Sequence, residues 1–338
     1  MLLPLLLLAA GPGLAAAAAA PPAAAAAIAA TVAGATTQRV APSVPTRELP
    51  SIDAYAAMNT QQLRDSFLIE KVFAPGEVTL TYTTSTLDRL ALGGAMPMPG
   101  RAPLTLDASD ATGPGAAALD RRELAVFNIG PGGATVTLDG DKAYDLAAKE
   151  VLYVPLGTQT VSMAAKEGGG GGDKKNATAA APAKLFLASA PCRAAFDAAV
   201  ATPASSKTLR LGSAETANAR ALHQMIAPGV GPSSCQLMVG LTTLEPGSVL
   251  NTMPPHRHLR RSEAYLYFGL PEGQRVFHFL GTPQETRHVV AADEQVALSP
   301  PWSVHAGAGT SAYSFVWVMA GENQSFSDME AVPTATLM

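Results

Sequence analysis

The stretch NTMPPHRHLRRSEAYLYF, residues 251–268, holds two histidines one residue apart and a glutamate five residues further on. Side chains alternate faces along a β-strand, so His256 and His258 point to the same side, about 7 Å apart. Glu263 is an odd number of residues from both histidines, so on one straight strand its side chain would point to the opposite face. The intervening LRRS is polar and allows a bend, and folding back would place the Glu263 carboxylate opposite the two imidazoles.

A third imidazole can come from His305, in the segment SPPWSVHAGAG at the end of a later strand. Three imidazoles and one carboxylate suit Zn²⁺, Fe²⁺, Mn²⁺ or Ni²⁺. An open coordination position would make such a site catalytic rather than structural. The alternative is a set of surface or core histidines near a salt-bridged Glu263, because an HxH pair on its own occurs by chance.

Short strands dominate the sequence around this stretch. Segments such as EVTLTYTT, residues 77–84, alternate apolar and polar side chains, which is typical of a half-buried strand. Similar segments separated by Pro and Gly turns follow towards the C-terminus, and helix-length periodic stretches are scarce after residue 80. We therefore predict an all-β sandwich or small barrel with a few short helices. Residues 48–76 form a lead-in, in which NTQQLRDSFLIEKVF has helical spacing.

A weak internal repeat suggests two copies of one β-barrel unit. The matching segments are RRELAVFNIGPGG (121–133) with RRSEAYLYFGLPEG (260–273), and KEVLYVPLGT (149–158) with DEQVALSPPWSV (293–304). All six histidines lie after residue 220. We therefore predict an N-terminal half without metal ligands at residues 48–206 and a C-terminal metal-binding half at residues 207–338.

Residues 1–47 differ in composition from the rest of the chain. They contain no Asp or Glu, and an apolar run at Leu2–Ala10 precedes long alanine tracts. This pattern is typical of a signal peptide, although a positive n-region is missing, and an organelle transit segment or a low-complexity extension is an alternative. Pro and Gly interrupt each apolar run before the roughly 20 residues that a membrane-spanning helix needs. The destination of this leader stays open between secretion and an organelle.

Three further features limit the possible functions. The net charge is −4 and only 15% of residues are charged, so no basic surplus indicates a nucleic-acid partner. Residues 166–183 form a Gly-rich segment, which predicts a flexible insertion, and Asn176 begins a glycosylation sequon. The two cysteines, Cys192 and Cys235, match no CxxC pattern. We expect two buried thiols, although a disulfide is possible.

The order HxHx₄E, followed about 40 residues later by PxWxxH, resembles the signature of the cupin superfamily. His256, His258 and Glu263 fit its first motif, and Pro300 and His305 fit its second. The chain departs from the usual pattern at Gly247, Gly269, Trp302 and Gly309. Those departures suggest a particular branch of the superfamily.

Longer strings resemble the 5-keto-4-deoxyuronate isomerase family, bacterial ketol-isomerases of pectin breakdown: LRDSFLIEKVF, RRELAVFNIG, NTMPPHRHLRRSEAYLYF, GTPQETRHVV and SPPWSVHAGAGTSAYSFVWVMAGENQSFSDM. The resemblance runs from about residue 50 to the C-terminus. It implies a two-cupin β-fold, usually a cytoplasmic homohexamer, with one zinc per chain held by His256, His258, Glu263 and His305. It also implies conversion of 5-dehydro-4-deoxy-D-glucuronate to 3-deoxy-D-glycero-2,5-hexodiulosonate.

A ketol-isomerase must move a proton between neighbouring carbons, so a general base is needed. The candidates are Glu285, His288, Tyr265 and Glu322. Each also has a structural explanation. Glu285 could be a carboxylate in a turn and His288 a packed strand residue. Tyr265 could form a pocket wall, and Glu322 could be an exposed charge in a loop. The substrate carboxylate needs a cation, and Arg287, Arg260 and Arg261 are candidates that could equally be solvated or salt-bridged. Tyr267 and Trp302 are expected to form the pocket wall.

Two other functions fit the same ligand set. A cupin oxygenase would use Fe²⁺ in place of zinc, and Mn²⁺ is a further alternative. A non-catalytic cupin would only bind a sugar or small acid at the metal. The retention of all four ligands argues against a degenerate binding module. We expect a small-molecule uronate as the ligand, and no membrane partner for the mature domain.

Overall fold

The computed structural model describes residues 45–106, 117–167, 181–322 and 325–338. These parts of the chain hold two short α-helices, α1 (Ile52–Ala56) and α2 (Thr60–Phe67), and 23 strands. The predicted all-β class with a few short helices is confirmed. Residues 1–44 of the leader, residues 168–180 of the Gly-rich insertion and the sequon at Asn176 lie outside the described residues.

The first half of the chain contributes twelve strands: β1 (Thr46–Arg47), β2 (Leu68–Ile69), β3 (Val78–Thr83), β4 (Ala91–Ala95), β5 (Leu104–Thr105), β6 (Arg122–Asn128), β7 (Ala134–Leu138), β8 (Lys142–Leu146), β9 (Val151–Val154), β10 (Val161–Ala165), β11 (Leu185–Pro191) and β12 (Ala199–Ala201). One sheet has the order β1-β3-β4-β11-β6-β9-β12 and the other β5-β10-β7-β8. Apolar side chains such as Leu124, Val136 and Leu152 pack into one buried cluster in this half.

The second half contributes eleven strands: β13 (Lys207–Leu211), β14 (Arg220–Ile226), β15 (Met238–Leu244), β16 (Leu250–Arg257), β17 (Arg261–Phe268), β18 (Val276–Thr282), β19 (Glu285–Ala291), β20 (Gln295–Ser299), β21 (His305–Gly309), β22 (Ser314–Gly321) and β23 (Glu330–Ala331). The larger sheet has the order β13-β14-β15-β22-β17-β20-β2, and the smaller one β19-β18-β21-β16-β23.

The two larger sheets repeat the same arrangement. Strand β6 lies between β11 and β9, as β17 lies between β22 and β20. Leu124 of β6 is opposite Val154, and Glu263 of β17 is opposite Ser299. Leu124 is therefore the register counterpart of Glu263. The duplicated architecture agrees with the predicted double-cupin fold.

The N-terminal lead-in packs on the second half of the chain. Asn59 and Gln62 form a capping box that starts α2, and this helix buries Leu63 and Phe67. Directly after α2, strand β2 pairs with β20 of the second half. Strand β2 thus belongs to a sheet of the second half although it precedes most strands of the first half in the sequence. None of the described helices has the length and apolar character needed to cross a bilayer.

Two predictions about the edges of the fold need correction. Thr46 and Arg47, which we assigned to the leader, pair in parallel with Tyr82 and Thr83 of β3. The cysteines are not two separate thiols, because Cys192 and Cys235 form a disulfide with their Cα atoms 5.5 Å apart. Their separation of 43 residues gave no geometric signal in the sequence. The disulfide joins the segment after β11 to the loop before β15.

A buried carboxylate reinforces the same junction. The side chain of Glu123, in β6, accepts hydrogen bonds from the backbone N–H groups of Cys235, Gln236 and Leu237 at 2.7–2.8 Å. The hydroxyl of Tyr153 donates to the same carboxylate at 2.9 Å. Glu123 is fully buried, so these four donors satisfy a charge that would otherwise be costly to remove from water.

Candidate metal centre

Three segments of the second half bring four potential ligands together. His256 lies near the end of β16 and is the register partner of His305, the first residue of β21. His258 follows β16, and the chain then turns into β17, whose third residue is Glu263. The turn at Leu259 and Arg260 supplies the bend that the parity of Glu263 requires.

The four donor atoms lie close enough to share one metal ion. The Nε2 atom of His256 is 3.2 Å from Nε2 of His258 and 3.2 Å from Nε2 of His305. Oε2 of Glu263 is 2.8 Å from Nε2 of His305 and 3.4 Å from Nε2 of His258. Ligands about 2.0–2.2 Å from a zinc ion are separated from one another by roughly these distances.

The hydrogen bonding of the group also fits a cation. Oε2 of Glu263 is buried and has no well-oriented hydrogen-bond donor among the described residues, although it is close to two imidazoles. A buried carboxylate oxygen in that state is unfavourable unless another positive centre interacts with it. His256, His258, Glu263 and His305 together could therefore hold a metal ion.

The electrostatics favour the protonation state that metal binding needs. Burial, together with the neighbouring His305, lowers the pKa of His256 to about 3 against the opposing charge of Glu263. Burial alone would raise the pKa of Glu263, but the facing imidazoles of His305 and His258 bring it below its usual range. A neutral imidazole and an ionised carboxylate are the forms that ligate metals.

A second carboxylate orients one of the ligands. Oδ1 of Asp328 is 3.1 Å from Nδ1 of His258, on the ring side away from the other donor atoms. Asp328 also forms an ion pair with Arg261, whose side chain is fully buried. A carboxylate at the second ring nitrogen fixes the tautomer and the orientation of a metal-bound imidazole. Sequence reasoning missed Asp328, because it lies 70 residues after its imidazole partner.

A cavity of about 410 Å³ adjoins this group. Its lining includes three of the potential ligands, His256, His258 and Glu263, and strands β14, β15, β17 and β22 form much of its wall. Most of the wall is apolar, and its other polar side chains include Arg220 and Tyr265. A largely apolar pocket of this size with a few convergent polar groups suits a small organic ligand.

Tyr265 presents a neutral phenol to the cavity. Its hydroxyl lies 3.2 Å from Oγ1 of Thr252, and its ring is 5.6 Å from the ring of His305. Burial raises the pKa of Tyr265 well above its usual value, and the charge of Glu263 raises it further. The phenol therefore keeps its proton and is suited to donate a hydrogen bond to a bound oxygen atom.

Comparisons with known proteins identify the family. A family model described as KduI/IolB matches residues 95–333. The chain belongs to this family. It is 47% identical over 295 residues to 4-deoxy-L-threo-5-hexosulose-uronate ketol-isomerase 1 of Rhizobium meliloti, covering 87% of this chain and 99% of that protein. It is 44% identical to the ketol-isomerase of that name in Kineococcus radiotolerans, covering 86% of this chain and 99% of the relative.

Membership of the KduI/IolB family makes the chain an enzyme of the ketol-isomerase type, which is an intramolecular oxidoreductase. Solved structures support the fold. An IolB-like protein of Salmonella typhimurium superposes with a TM-score of 0.61 at 15% identity, over 79% of this chain and 97% of that one. Oxalate decarboxylase of Bacillus subtilis gives a TM-score of 0.52 at 10% identity, over 79% of each chain.

In this KduI/IolB chain, most predicted catalytic residues lie away from the cavity. Glu285 forms a 2.6 Å ion pair with Arg287, and Arg287 also donates to the carbonyl of Ala56. His288 is exposed on β19, beside the ring of Phe277. Only Tyr265, of the four predicted bases, lines the cavity.

The remaining predicted substrate contacts are also elsewhere. Exposed Arg260 forms an ion pair with exposed Glu322 on the protein surface. Nη2 of Arg261 lies 3.2 Å from Nδ1 of His258, on the ring side away from the other potential ligands. The hydroxyl of Tyr267 is buried against Nδ1 of His278 at 2.8 Å. Trp302 packs on the lead-in, with its ring 5.2 Å from that of Tyr55.

Proposed function

We propose that the chain is a zinc-dependent ketol-isomerase that converts 5-dehydro-4-deoxy-D-glucuronate to 3-deoxy-D-glycero-2,5-hexodiulosonate. The observation that carries the proposal is the group of three imidazoles and one carboxylate beside a largely apolar cavity. The printed names of the relatives, at up to 47% identity, support the substrate class. The family resemblance supports a role for this reaction in the breakdown of pectin or a related polyuronide.

The reaction moves a carbonyl group from one carbon to its neighbour, and negative charge develops on the two substrate oxygens. A bound divalent ion would stabilise that charge and orient both oxygens. His256, His258, Glu263 and His305 would hold the ion. The protonated phenol of Tyr265 would donate a hydrogen bond to one of these oxygens, since Glu263 and burial keep its proton in place.

Zinc is the proposed metal because the donor set has three imidazoles and one carboxylate at separations that fit ligand distances of about 2.0–2.2 Å. Fe²⁺ and Mn²⁺ accept the same ligands and are the alternatives. The largely apolar wall of the cavity supports the binding of a small organic substrate beside the metal group.

The resemblance also supports two proposals about the organisation of the protein. We propose that only residues 207–338 carry the site and that residues 48–206 support it. We further propose that the chain assembles as a homohexamer.

One experiment tests the activity and the metal together. The leader-free protein is assayed on the keto-uronate released by a polyuronide lyase, with and without a chelator, beside His256→Ala and the control His223→Gln. His223 lies outside the ligand group and contacts Ser206 and Thr208. We expect turnover by the wild type and the control, and loss of turnover after chelation and in His256→Ala.

Other outcomes would identify other functions. Equal activity in all four samples would remove the metal from the mechanism. Abundant iron with oxygen uptake in place of isomerisation would indicate an oxygenase. Tight binding of sugar acids without turnover would indicate a non-catalytic cupin.

A further inference from the structure

Arg220, at the start of β14, is the arginine that lines the cavity among the described residues. One of its guanidinium nitrogens donates to the carbonyl of Asn218 at 2.8 Å. It forms no ion pair with the described carboxylates. Burial lowers the pKa of Arg220, partly opposed by Tyr265 and Tyr313. A partly buried cation without an anionic partner is costly to maintain and needs a reason to be there.

Two more polar groups in the wall have no hydrogen-bond partner in the described part of the chain. The side chains of Thr242 and Trp317 are 1% and 3% exposed, and both residues line the cavity. The Thr242 hydroxyl and the Trp317 indole N–H have no hydrogen-bond partner among the described residues. Buried polar groups in native proteins are normally satisfied, so these two are suited to a ligand.

The strand register places these groups on the same side of one sheet. Thr242 of β15 is opposite Leu222 of β14 on one side and Phe315 of β22 on the other. Arg220 is two residues from Leu222, and Trp317 is two residues from Phe315, so both share their neighbour's face. The face therefore presents a cation and two neutral hydrogen-bonding groups from three adjacent strands.

Tyr265 lies between this face and the metal group. It lines the same cavity as Arg220 and the potential ligands His256 and Glu263. Its ring is 5.6 Å from that of His305, and its hydroxyl is 3.2 Å from Oγ1 of Thr252. A ligand that contacts Tyr265 can reach both centres if it is a few bonds long.

A uronate has one group suited to each of these two centres. The carbonyl that isomerises is at one end of a six-carbon chain, and the carboxylate is at the other end. A guanidinium binds a carboxylate through two parallel hydrogen bonds and is the preferred residue for that contact.

We propose that Arg220, assisted by Thr242 and Trp317, binds the substrate carboxylate while the reacting carbons lie at the metal group. This inference rests on the proposed function and deepens it. The subsite selects a sugar acid over the neutral sugar and fixes which end of the chain faces the metal.

The test compares Arg220→Gln and Arg220→Lys with the wild type and with the control Arg275→Gln. Arg275 is exposed, and its side chain contacts only the neighbouring carbonyl of Gln274 among the described residues. Turnover of the keto-uronate gives kcat and KM, and competition gives inhibition constants for D-glucuronate and D-glucuronamide. These two inhibitors differ only in the group at C6, which is an anionic carboxylate in one and a neutral amide in the other.

We expect kcat/KM to fall about 30-fold or more in Arg220→Gln and to be unchanged in Arg275→Gln. The wild type should bind glucuronate about tenfold more tightly than glucuronamide, since hydrogen bonds to charged groups are stronger. Arg220→Gln should lose that preference, and Arg220→Lys should keep part of it. Equal metal content in all variants would exclude misfolding as the cause.

Two results would separate this inference from the proposed function. If the wild type isomerises the uronate and Arg220→Gln retains both its activity and its preference for glucuronate, the carboxylate binds elsewhere and the inference is wrong. If the wild type does not isomerise the uronate, the proposed function fails. The two inhibition constants still test the carboxylate subsite in that case.

Thr242→Val provides an independent test. The substitution preserves shape and removes a buried hydroxyl that has no partner among the described residues. We expect an equal or higher unfolding temperature and a KM several-fold higher for the uronate. A lower unfolding temperature with unchanged KM would assign the hydroxyl a structural role and contradict its place in the subsite.

Discussion

The disulfide between Cys192 and Cys235 should contribute strongly to stability. It closes a loop over a separation of 43 residues in a part of the chain that links the two halves. Loop-closure entropy gives about 4 kcal/mol for a loop of this length, and measured effects are typically about 2–4 kcal/mol. We expect the double variant Cys192→Ser, Cys235→Ser to lose this much free energy of unfolding.

The position of the disulfide explains why its loss should also weaken the contact between Glu123 and the loop before β15. The backbone N–H of Cys235 donates to Oε2 of Glu123 at 2.7 Å, and two further N–H groups of the same loop donate to that carboxylate. If the loop moves in the absence of the disulfide, Glu123 loses donors while it stays buried. That loss adds to the entropic effect.

Urea unfolding of the metal-saturated protein is a suitable assay. For a slope of about 2–3 kcal/mol per molar urea, the midpoint should fall by roughly 1–2 M in the double variant and in the reduced wild type. Reductant should leave the midpoint of the double variant unchanged, which is the control. Thiol titration in denaturant should detect no free cysteine before reduction. Two free thiols, or equal midpoints for all samples, would refute the reasoning.

The outcome also bears on the predicted leader that precedes β1. Disulfides persist mainly in oxidising compartments. A confirmed disulfide would favour the secretory hypothesis for this leader over a cytoplasmic location.

Three further substitutions test the site and the packing of its wall. Asp328→Asn should weaken metal binding about 10–100-fold, because it removes the charge beside Nδ1 of His258. Competition with a chelator measures this affinity, and an unchanged value would mean that Asp328 does not orient the ring. Tyr265→Phe should lower kcat about 100-fold with unchanged metal content, because it removes the phenol proton that lies beside the metal group. A kcat equal to that of the wild type would exclude the phenol from the chemistry. Gly240→Ala should destabilise the fold by about 1–3 kcal/mol, since the added methyl group would overlap the Trp317 indole; thermal unfolding identical to wild type would contradict this packing.

The metal group could be predicted from sequence because its signals are local. His256 and His258 share a strand face, and the polar residues after them allow the turn that brings Glu263 back. His305 needed a motif, since its pairing with His256 is a contact across 49 residues. The alternation of short strands was enough for the fold class.

The rest depended on strand register, which the sequence does not state. Arg220 was missed because nothing local distinguishes an arginine that faces the cavity from one on the surface. Arg261 was expected at the substrate, but the register of β17 places it behind His258. Trp302 was expected in the pocket wall, but the lead-in with Tyr55 returns to the second half and covers it.

The two halves differ inside although their strands correspond. Leu124 occupies the register position of Glu263, and the interior of the first half is filled by a buried apolar cluster. A single carboxylate at position 124 would be buried among aliphatic side chains with no imidazole nearby, because the first half has no histidine. Several simultaneous changes would therefore be needed to create a second site.

The first half nevertheless contacts the strand that carries one of the potential ligands. Oδ2 of Asp88, in the turn before β4, accepts hydrogen bonds from the backbone N–H and the hydroxyl of Ser262 at 2.8 and 2.6 Å. Ser262 is the residue before Glu263, so this contact holds the start of β17, the strand that carries the carboxylate ligand. Glu123, also in the first half, makes a second such contact from β6 to the loop before β15. The first half thus binds the second through two carboxylates, and the residue next to the Asp88 contact is the potential metal ligand Glu263.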